Sequence, residues 1–369
     1  MTTKPIPVWS YEDEYREHRD AILGACDRVF KSNRLIFGEE GKAFEAEMAA
    51  AHSMTGGVGV NSGTDALEIA LRALGVEAGD EVITVPNTAV PTVSAIGATG
   101  ARPVFVDVRT DNFLMDVGKL EAAITPKTKA IIPVHLYGQC VDMDSLLEIA
   151  KRHGLKVLED VAQAQGAFYK DRPAGSMGDA SAWSFYPTKV LGGYGDGGLI
   201  LARDEAVLAL ARSLRFYGME GTYYSERQGR NSRLDEVQAA ILRYKLPLVA
   251  PWVERRRQIA ARYHAELGNA VGLPQEAEYG RHAWYVFVAE HDDRDGMIKR
   301  LGERGILCNI SYPWPIHVQR GYAYLGYEEG DFPVAEAKAK RIFSLPMYPY
   351  LSDEQVGRVI AAIKEASRG

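Results

Sequence analysis

From about residue 55 onward the chain alternates between two patterns. Short, nearly continuous apolar runs at Val82–Val85, Val104–Val106, Ala130–Val134, Leu155–Leu158, Ala182–Phe185 and Leu199–Leu201 read as strands buried on both faces. Between them, helical spacing marks Asp65–Leu74, Asp144–Arg152, Glu205–Leu214 and Asp235–Tyr244. Strands without polar alternation, separated by helices, predict an α/β fold with a mostly parallel sheet covered on both faces, and such sheets bind ligands at the carboxyl ends of their strands. Residues 1–50 read as an arm and helices, with Phe44 and Met48 on one apolar stripe. Beyond 250 the pattern changes. A charged helix over Trp252–Leu267 is followed by a strand candidate at Trp284–Val288, a helix near Arg294–Gly305 and an amphipathic helix at Asp353–Ser367. The expected organisation is an N-terminal arm and large domain over 1–250 and a smaller α+β domain over 251–369.

The 369 residues suffice for such a two-domain core. A net charge of −6 with no basic block gives no support to nucleic-acid binding. The three cysteines, Cys26, Cys140 and Cys308, are far apart and have neither metal nor disulfide spacing, which suits a reducing cytoplasm. No apolar run approaches the ~20 residues of a membrane span, and the N-terminus lacks a charged-then-apolar signal pattern.

Lys189 changes the picture most. It closes the run Ser184-Phe-Tyr-Pro-Thr-Lys189 after a strand and faces the turn Gly192–Gly198, in which five of seven residues are glycine. Upstream, Asp160 ends the strand Leu155–Leu158. A lysine amine and a strand-end carboxylate are what a pyridoxal phosphate enzyme needs, the amine to bond the cofactor aldehyde and the carboxylate to keep the pyridine nitrogen protonated. Asn61-Ser-Gly63-Thr64-Asp65 opens a helix with small residues, which is an anion site or a plain N-cap. Ser184 is a possible phosphate donor, or an ordinary strand serine. Gln163 is placed to bond a ring hydroxyl, or is polar loop. Arg230-Asn231-Ser-Arg233-Leu-Asp235 precedes a helix, and Tyr312-Pro-Trp-Pro-Ile-His317 is a proline-fixed aromatic loop suited to a pocket wall.

Together, and in this order, these segments resemble the DegT/DnrJ/EryC1/StrS sugar aminotransferase family with its fold-type-I pyridoxal phosphate architecture. The resemblance runs over nearly the whole chain, from Phe37-Gly38 and Phe44-Glu45, through Val134-His-Leu-Tyr-Gly138, to Leu345-Pro-Met-Tyr-Pro349. It implies a seven-stranded-type sheet between helices. Residue by residue, it implies that Lys189 bonds the cofactor, Asp160 partners the pyridinium and Gln163 neighbours the ring hydroxyl. Gly63, Thr64 and Ser184 then bind the phosphate. Asn231 would reach the cofactor phosphate of a neighbouring subunit, which implies a homodimer with shared active sites. The sequence departs from the family at Pro86–Thr92, where Ala89 stands in place of the aromatic that covers the cofactor ring.

The resemblance further implies transfer of an amino group, with L-glutamate as donor, to a nucleotide-linked keto-sugar. Tyr186 and the Gly192–Gly198 turn resemble members acting at C3 of a dTDP-3-keto-6-deoxyhexose more than those acting at C4, which often carry histidine at the Tyr186 position. Tyr186, Arg230, Arg233, Tyr312, His317 and Arg320 are the candidate substrate contacts. The alternatives are a C4 aminotransferase, a cyclitol aminotransferase of the scyllo-inosose type, a dehydratase (against which the intact Lys189 argues) and a non-enzymatic regulatory protein.

Overall fold

The computed structural model describes residues 4–221 and 223–368. Two helices, α1 (Glu12–Ser32) and α2 (Glu39–Ala51), precede the sheet. Strand β1 (Gly56–Val60) leads into α3 (Gly63–Ala73). Then β2 (Glu81–Thr84), α4 (Val90–Ala98), β3 (Arg102–Phe105), β4 (Thr128–Ile131), α5 (Met143–His153) and β5 (Lys156–Asp160) follow. A small hairpin, β6 (Phe168–Tyr169) and β7 (Arg172–Pro173), separates these from β8 (Ala180–Ser184) and β9 (Gly198–Ala202). The seven-stranded sheet has the order β1-β9-β8-β5-β4-β2-β3. Four of its pairings are parallel, whereas β9 lies antiparallel to both β8 and β1. The connection over 185–197 contains no helix, and β9 returns antiparallel to β8.

Helices α6 (Glu205–Leu214) and α7 (Glu236–Lys245) complete the large layer, and α8 (Val249–Leu267) leads out of it. A short strand β10 (Gly280–Arg281) extends the hairpin sheet. Beyond it, β11 (Phe287–Glu290) pairs antiparallel with β12 (Ile342–Leu345), flanked by α9 (Arg294–Glu303), α10 (Pro333–Arg341) and α11 (Asp353–Ala366).

Burial falls into two main clusters. The larger contains Val82, Ile83, Ile131, Leu158, Trp183 and Ile200 of the sheet with the apolar faces of α2 to α6. The smaller contains Ile259, Tyr263, Phe287, Met297, Phe343 and Ile363. Ile6 belongs to the smaller one: its amide donates to Gly305 O and its carbonyl accepts from Leu307 N, so the arm is stitched to the far end of the chain. The chain also crosses back, because Ile316, Leu325, Phe332 and Ala335 pack on the larger cluster.

The expected strand Trp284–Val288 begins three residues late. Trp284 takes φ 51, a left-handed conformation costly for a bulky side chain, so the segment turns before β11 starts. Among the described residues no helix is long and apolar enough to cross a membrane.

Candidate active site

Strands β5 and β8 are parallel neighbours, with Asp160 opposite Ala182, so Asp160 and Ser184 emerge at the same edge of the sheet. Beyond β8 a tight turn, in which Lys189 N donates to Tyr186 O at 2.9 Å, carries Lys189 back over that edge. A cavity of about 290 Å³ opens there, lined among others by Gly63, Thr64, Asp160, Ser184 and Lys189. Another cavity of about 590 Å³ lies beside Arg109, Asp142 and Tyr279, but its lining holds no lysine, histidine or cysteine and offers no amine for imine chemistry.

At the floor, Asp160 is 5% exposed. Its Oδ2 accepts from Thr92 Oγ1 at 2.9 Å and its Oδ1 from Ala162 N at 3.1 Å. Thr88 Oγ1 lies 3.0 Å from Thr92 Oγ1 and extends the hydroxyl chain. Burial pushes the Asp160 carboxyl above its ordinary range, opposed by the Thr92 bond, the Ala162 amide and the nearby Lys189 charge. A buried carboxylate held in place and lacking a strong cationic partner is suited to a protonated ring nitrogen.

Behind it, Glu159 points to the opposite face, as strand geometry requires. It accepts from Gly175 N, Met177 N and Gly178 N, and its Oε2 lies 2.9 Å from His135 Nε2. Burial pulls Glu159 upward, but the His135 bond and charge and these amides outweigh it and hold the carboxyl below its usual range. His135 N in turn donates to Asp160 O, so the pair fixes the strand end that carries Asp160.

At the other end, Ser62 caps α3 by accepting from Asp65 N at 3.1 Å. Gly63 and Thr64 therefore occupy the first helical positions, whose N–H groups have no intrahelical acceptor. A Cβ on Gly63 would lie 2.7 Å from Ser184 Cβ, and one on Gly198 would lie 2.2 Å from Ser62 O. Only glycine lets the helix start approach Ser184 this closely. Two free amides and a hydroxyl at one end, a buried carboxyl at the other and a lysine between them fit the phosphate, pyridine and aldehyde of pyridoxal phosphate.

The other expected residues divide into groups. Gln163 is buried, and both ends of its amide are engaged: Oε1 accepts from Tyr137 N at 3.0 Å and Nε2 donates to Tyr312 OH at 2.9 Å. Ala89, the N-cap of α4, lines the cavity, as does Tyr186, which is 53% exposed. Tyr312 approaches through Gln163 and stacks with Tyr137 at 6.3 Å between centroids. Both tyrosines have positive φ, and burial drives the Tyr312 hydroxyl well above its usual range. Asn231 is exposed and does not line its own chain's cavity.

Arg230 bonds Asp65 at 3.1 Å and Glu68 at 2.6 Å, so its charge latches the 230–232 segment to α3. Arg233 sits 5.9 Å from the Phe216 ring centroid, and Arg320 is exposed; neither lines the cavity. His317 corrects the sequence expectation. It is 2% exposed, with Nε2 2.9 Å from Glu336 Oε1, and packs against Phe332 away from the cavity. Sequence reasoning missed Thr92, which lacks a local signal, and Tyr285, whose ring lies under Lys189.

The family model described as the DegT/DnrJ/EryC1/StrS aminotransferase family matches residues 16–364. A dTDP-3-amino-3,4,6-trideoxy-alpha-D-glucose transaminase from Micromonospora megalomicea is 52% identical, covering 98% of this chain and 99% of its own. The crystal structure of DesV from S. venezuelae superposes with a TM-score of 0.97 at 42% identity, covering 100% of both chains. A Bacillus subtilis protein, ntda, solved with bound cofactor PMP, gives a TM-score of 0.93 at 28% identity over 100% of this chain and 86% of its own.

Proposed function

Because the chain belongs to the DegT/DnrJ/EryC1/StrS aminotransferase family, and is thus a pyridoxal phosphate-dependent enzyme acting on small molecules, we propose that it aminates C3 of a dTDP-3-keto-6-deoxyhexose with L-glutamate as donor. The observation that carries this reading is the convergence of Lys189, Asp160 and the start of α3 on one cavity. The C3 assignment draws on the transaminase that is 52% identical over nearly the full length of both chains.

When bound, pyridoxal phosphate supplies an aldehyde that takes up an amine and an electron-poor ring that accepts the electron pair left by a departing proton. Gly63 N–H, Thr64 N–H and Ser184 Oγ bind the phosphate. Asp160 holds the proton on the ring nitrogen, and Thr92 keeps its carboxylate aimed. Gln163 retains one Nε2 hydrogen for the ring hydroxyl, its other contacts being spent on Tyr137 and Tyr312. Ala89 gives the ring face an apolar wall without stacking. Lys189 Nζ would be the amine that holds the cofactor by its aldehyde and, when free, the base and acid that would carry the donor's α-proton.

Lys189 is the single cation among the lining residues, whereas a nucleotide diphosphate needs several cationic or amide partners. Arg233, Arg320 and Asn231, unused by their own chain's cavity, suit the site of a second copy, which supports a homodimer with shared active sites. A cytoplasmic location is part of the same reading.

Purified protein incubated with pyridoxal phosphate should develop a near-violet absorption band that Lys189→Ala abolishes without unfolding the chain. With glutamate it should turn over dTDP-3-keto-6-deoxyglucose. Turnover of only the 4-keto isomer, or only of a cyclitol ketone such as scyllo-inosose, overturns the C3 assignment.

A further inference from the structure

Tyr285 belongs to the C-terminal part of the chain, yet its side chain lines the cavity next to Lys189. Lys189 Nζ stands 4.7 Å from the centroid of its ring, and the Tyr285 hydroxyl lies 3.0 Å from Thr188 Oγ1, on the residue before the lysine. One aromatic ring thus touches both the reactive amine and the turn that carries it.

The chain holds this ring in place at considerable cost. Trp284, immediately before it, has φ 51. That conformation is held by a face-to-face stack on His282, at 3.8 Å and 3° between planes, and by donation from Trp284 N to His282 Nδ1 at 2.8 Å. Gly138 passes so close that a Cβ there would lie 2.9 Å from Tyr285 N. Arg256 is 2% exposed and, among the described residues, forms no ion pair. Its Nη1 donates to three carbonyls, Trp284 O at 3.2 Å, Tyr285 O at 3.1 Å and Met347 O at 2.8 Å. Burial accordingly lowers the guanidinium to about 10. A strained backbone residue and a buried cation spent on carbonyls are features that persist where the surrounding structure must fix one conformation.

We propose that Tyr285 is a positioning residue for Lys189. Its ring face holds Nζ over the cavity, because a cation is attracted to an aromatic face and a lysine otherwise samples many rotamers. Its hydroxyl ties the 186–189 turn to the C-terminal part of the chain. The inference rests on the assignment of Lys189 as the cofactor-bonding residue.

The test compares two forms of the cofactor. Pyridoxal phosphate bonds Lys189, whereas pyridoxamine phosphate fills the same cavity without that bond. Tyr285→Leu should weaken pyridoxal phosphate binding by about tenfold, the order of the ring–cation and rotamer effects combined. Pyridoxamine phosphate binding should stay within about twofold. Tyr285→Phe, which keeps the ring face, should retain most of the preference for the aldehyde form. Thr188→Val, a milder change for use where Tyr285→Leu does not fold, should give a smaller loss confined to pyridoxal phosphate. Equal losses for both cofactor forms, or no loss for either, overturn the proposal. Wild-type protein that binds neither form would instead overturn the assignment of Lys189 on which it rests.

Discussion

Asp160 is a carboxyl placed where water barely reaches, with two hydrogen bonds and one lysine nearby. Burial raises its folded value above the ~3.9 of an unfolded aspartate. The sign of the linkage follows. In protein stripped of cofactor, its contribution to stability is fully present below the unfolded value and is lost as pH rises through the folded value. Asp160→Asn removes that titration. At pH 7 the stripped variant should melt on the order of a few degrees above stripped wild type, and the gap should close as pH falls toward 4. With cofactor present the order should reverse. Wild type gains about 2.7 kcal/mol when the ligand is at a hundred times its Kd, and the variant, lacking the ring-nitrogen partner, loses most of that gain. Melting curves at two pH values, with and without pyridoxal phosphate, test both signs. A stripped wild type more stable than the variant at pH 7 contradicts the account.

At the scale of elements, α2 has no cap of its own, because its N-cap residue is Gly38. Glu236, at the first turn of α7, supplies the missing acceptor from across the structure. Its Oε1 accepts from Gly38 N at 2.9 Å and Gly41 N at 3.0 Å, and its Oε2 from Glu40 N at 2.8 Å. A Cβ at Gly38 would lie 2.7 Å from that carboxylate, which explains the glycine. Glu236→Ala strands three amides and should cost about 2–4 kcal/mol, read as a lower urea midpoint with unchanged slope. The elements themselves were legible where periodicity is local: α6 has the expected bounds, and the strands carrying Asp160 and Ser184 lie within two residues of expectation. Features made by distant partners were not legible. The Glu236 cap, the Thr92 bond to Asp160 and the contact of Tyr285 with Thr188 and Lys189 each join segments far apart in sequence. His317 was misread because a loop beside prolines and aromatics looks like a pocket wall until Glu336 is found covering it.

For the whole molecule, the cavity draws on both ends of the chain, and the C-terminal residues that reach it pack on the larger hydrophobic cluster. Residues before 250 supply Lys189, Asp160 and Ser184; beyond 250, Tyr285 lines the cavity and Tyr312 reaches it through Gln163. We keep the division near residue 250 as a proposal on this functional ground. A second surface remains to be accounted for. Phe30, Leu35, Ile36, Phe37 and Tyr217 are 61%, 52%, 38%, 37% and 42% exposed. Phe37 stacks edge-on with Phe216, which bridges to Asn231, and Leu35 O accepts from Glu236 N, so this apolar band borders the segment that bears Asn231. A contiguous apolar band beside an unused polar residue is suited to a two-fold contact, in which the same patch meets itself and Asn231 is carried toward the other copy's cavity. Light scattering should therefore give about twice the 40.6 kDa chain mass. Leu35→Glu places a charge in the band while keeping the backbone carbonyl that Glu236 uses. It should shift the protein to monomer at micromolar concentration and weaken pyridoxal phosphate binding by about tenfold or more, the effect of losing a charge-free phosphate partner together with the interface around it. A variant that remains dimeric would place the interface elsewhere. A monomeric variant with unchanged cofactor affinity would mean that each site is complete within one chain.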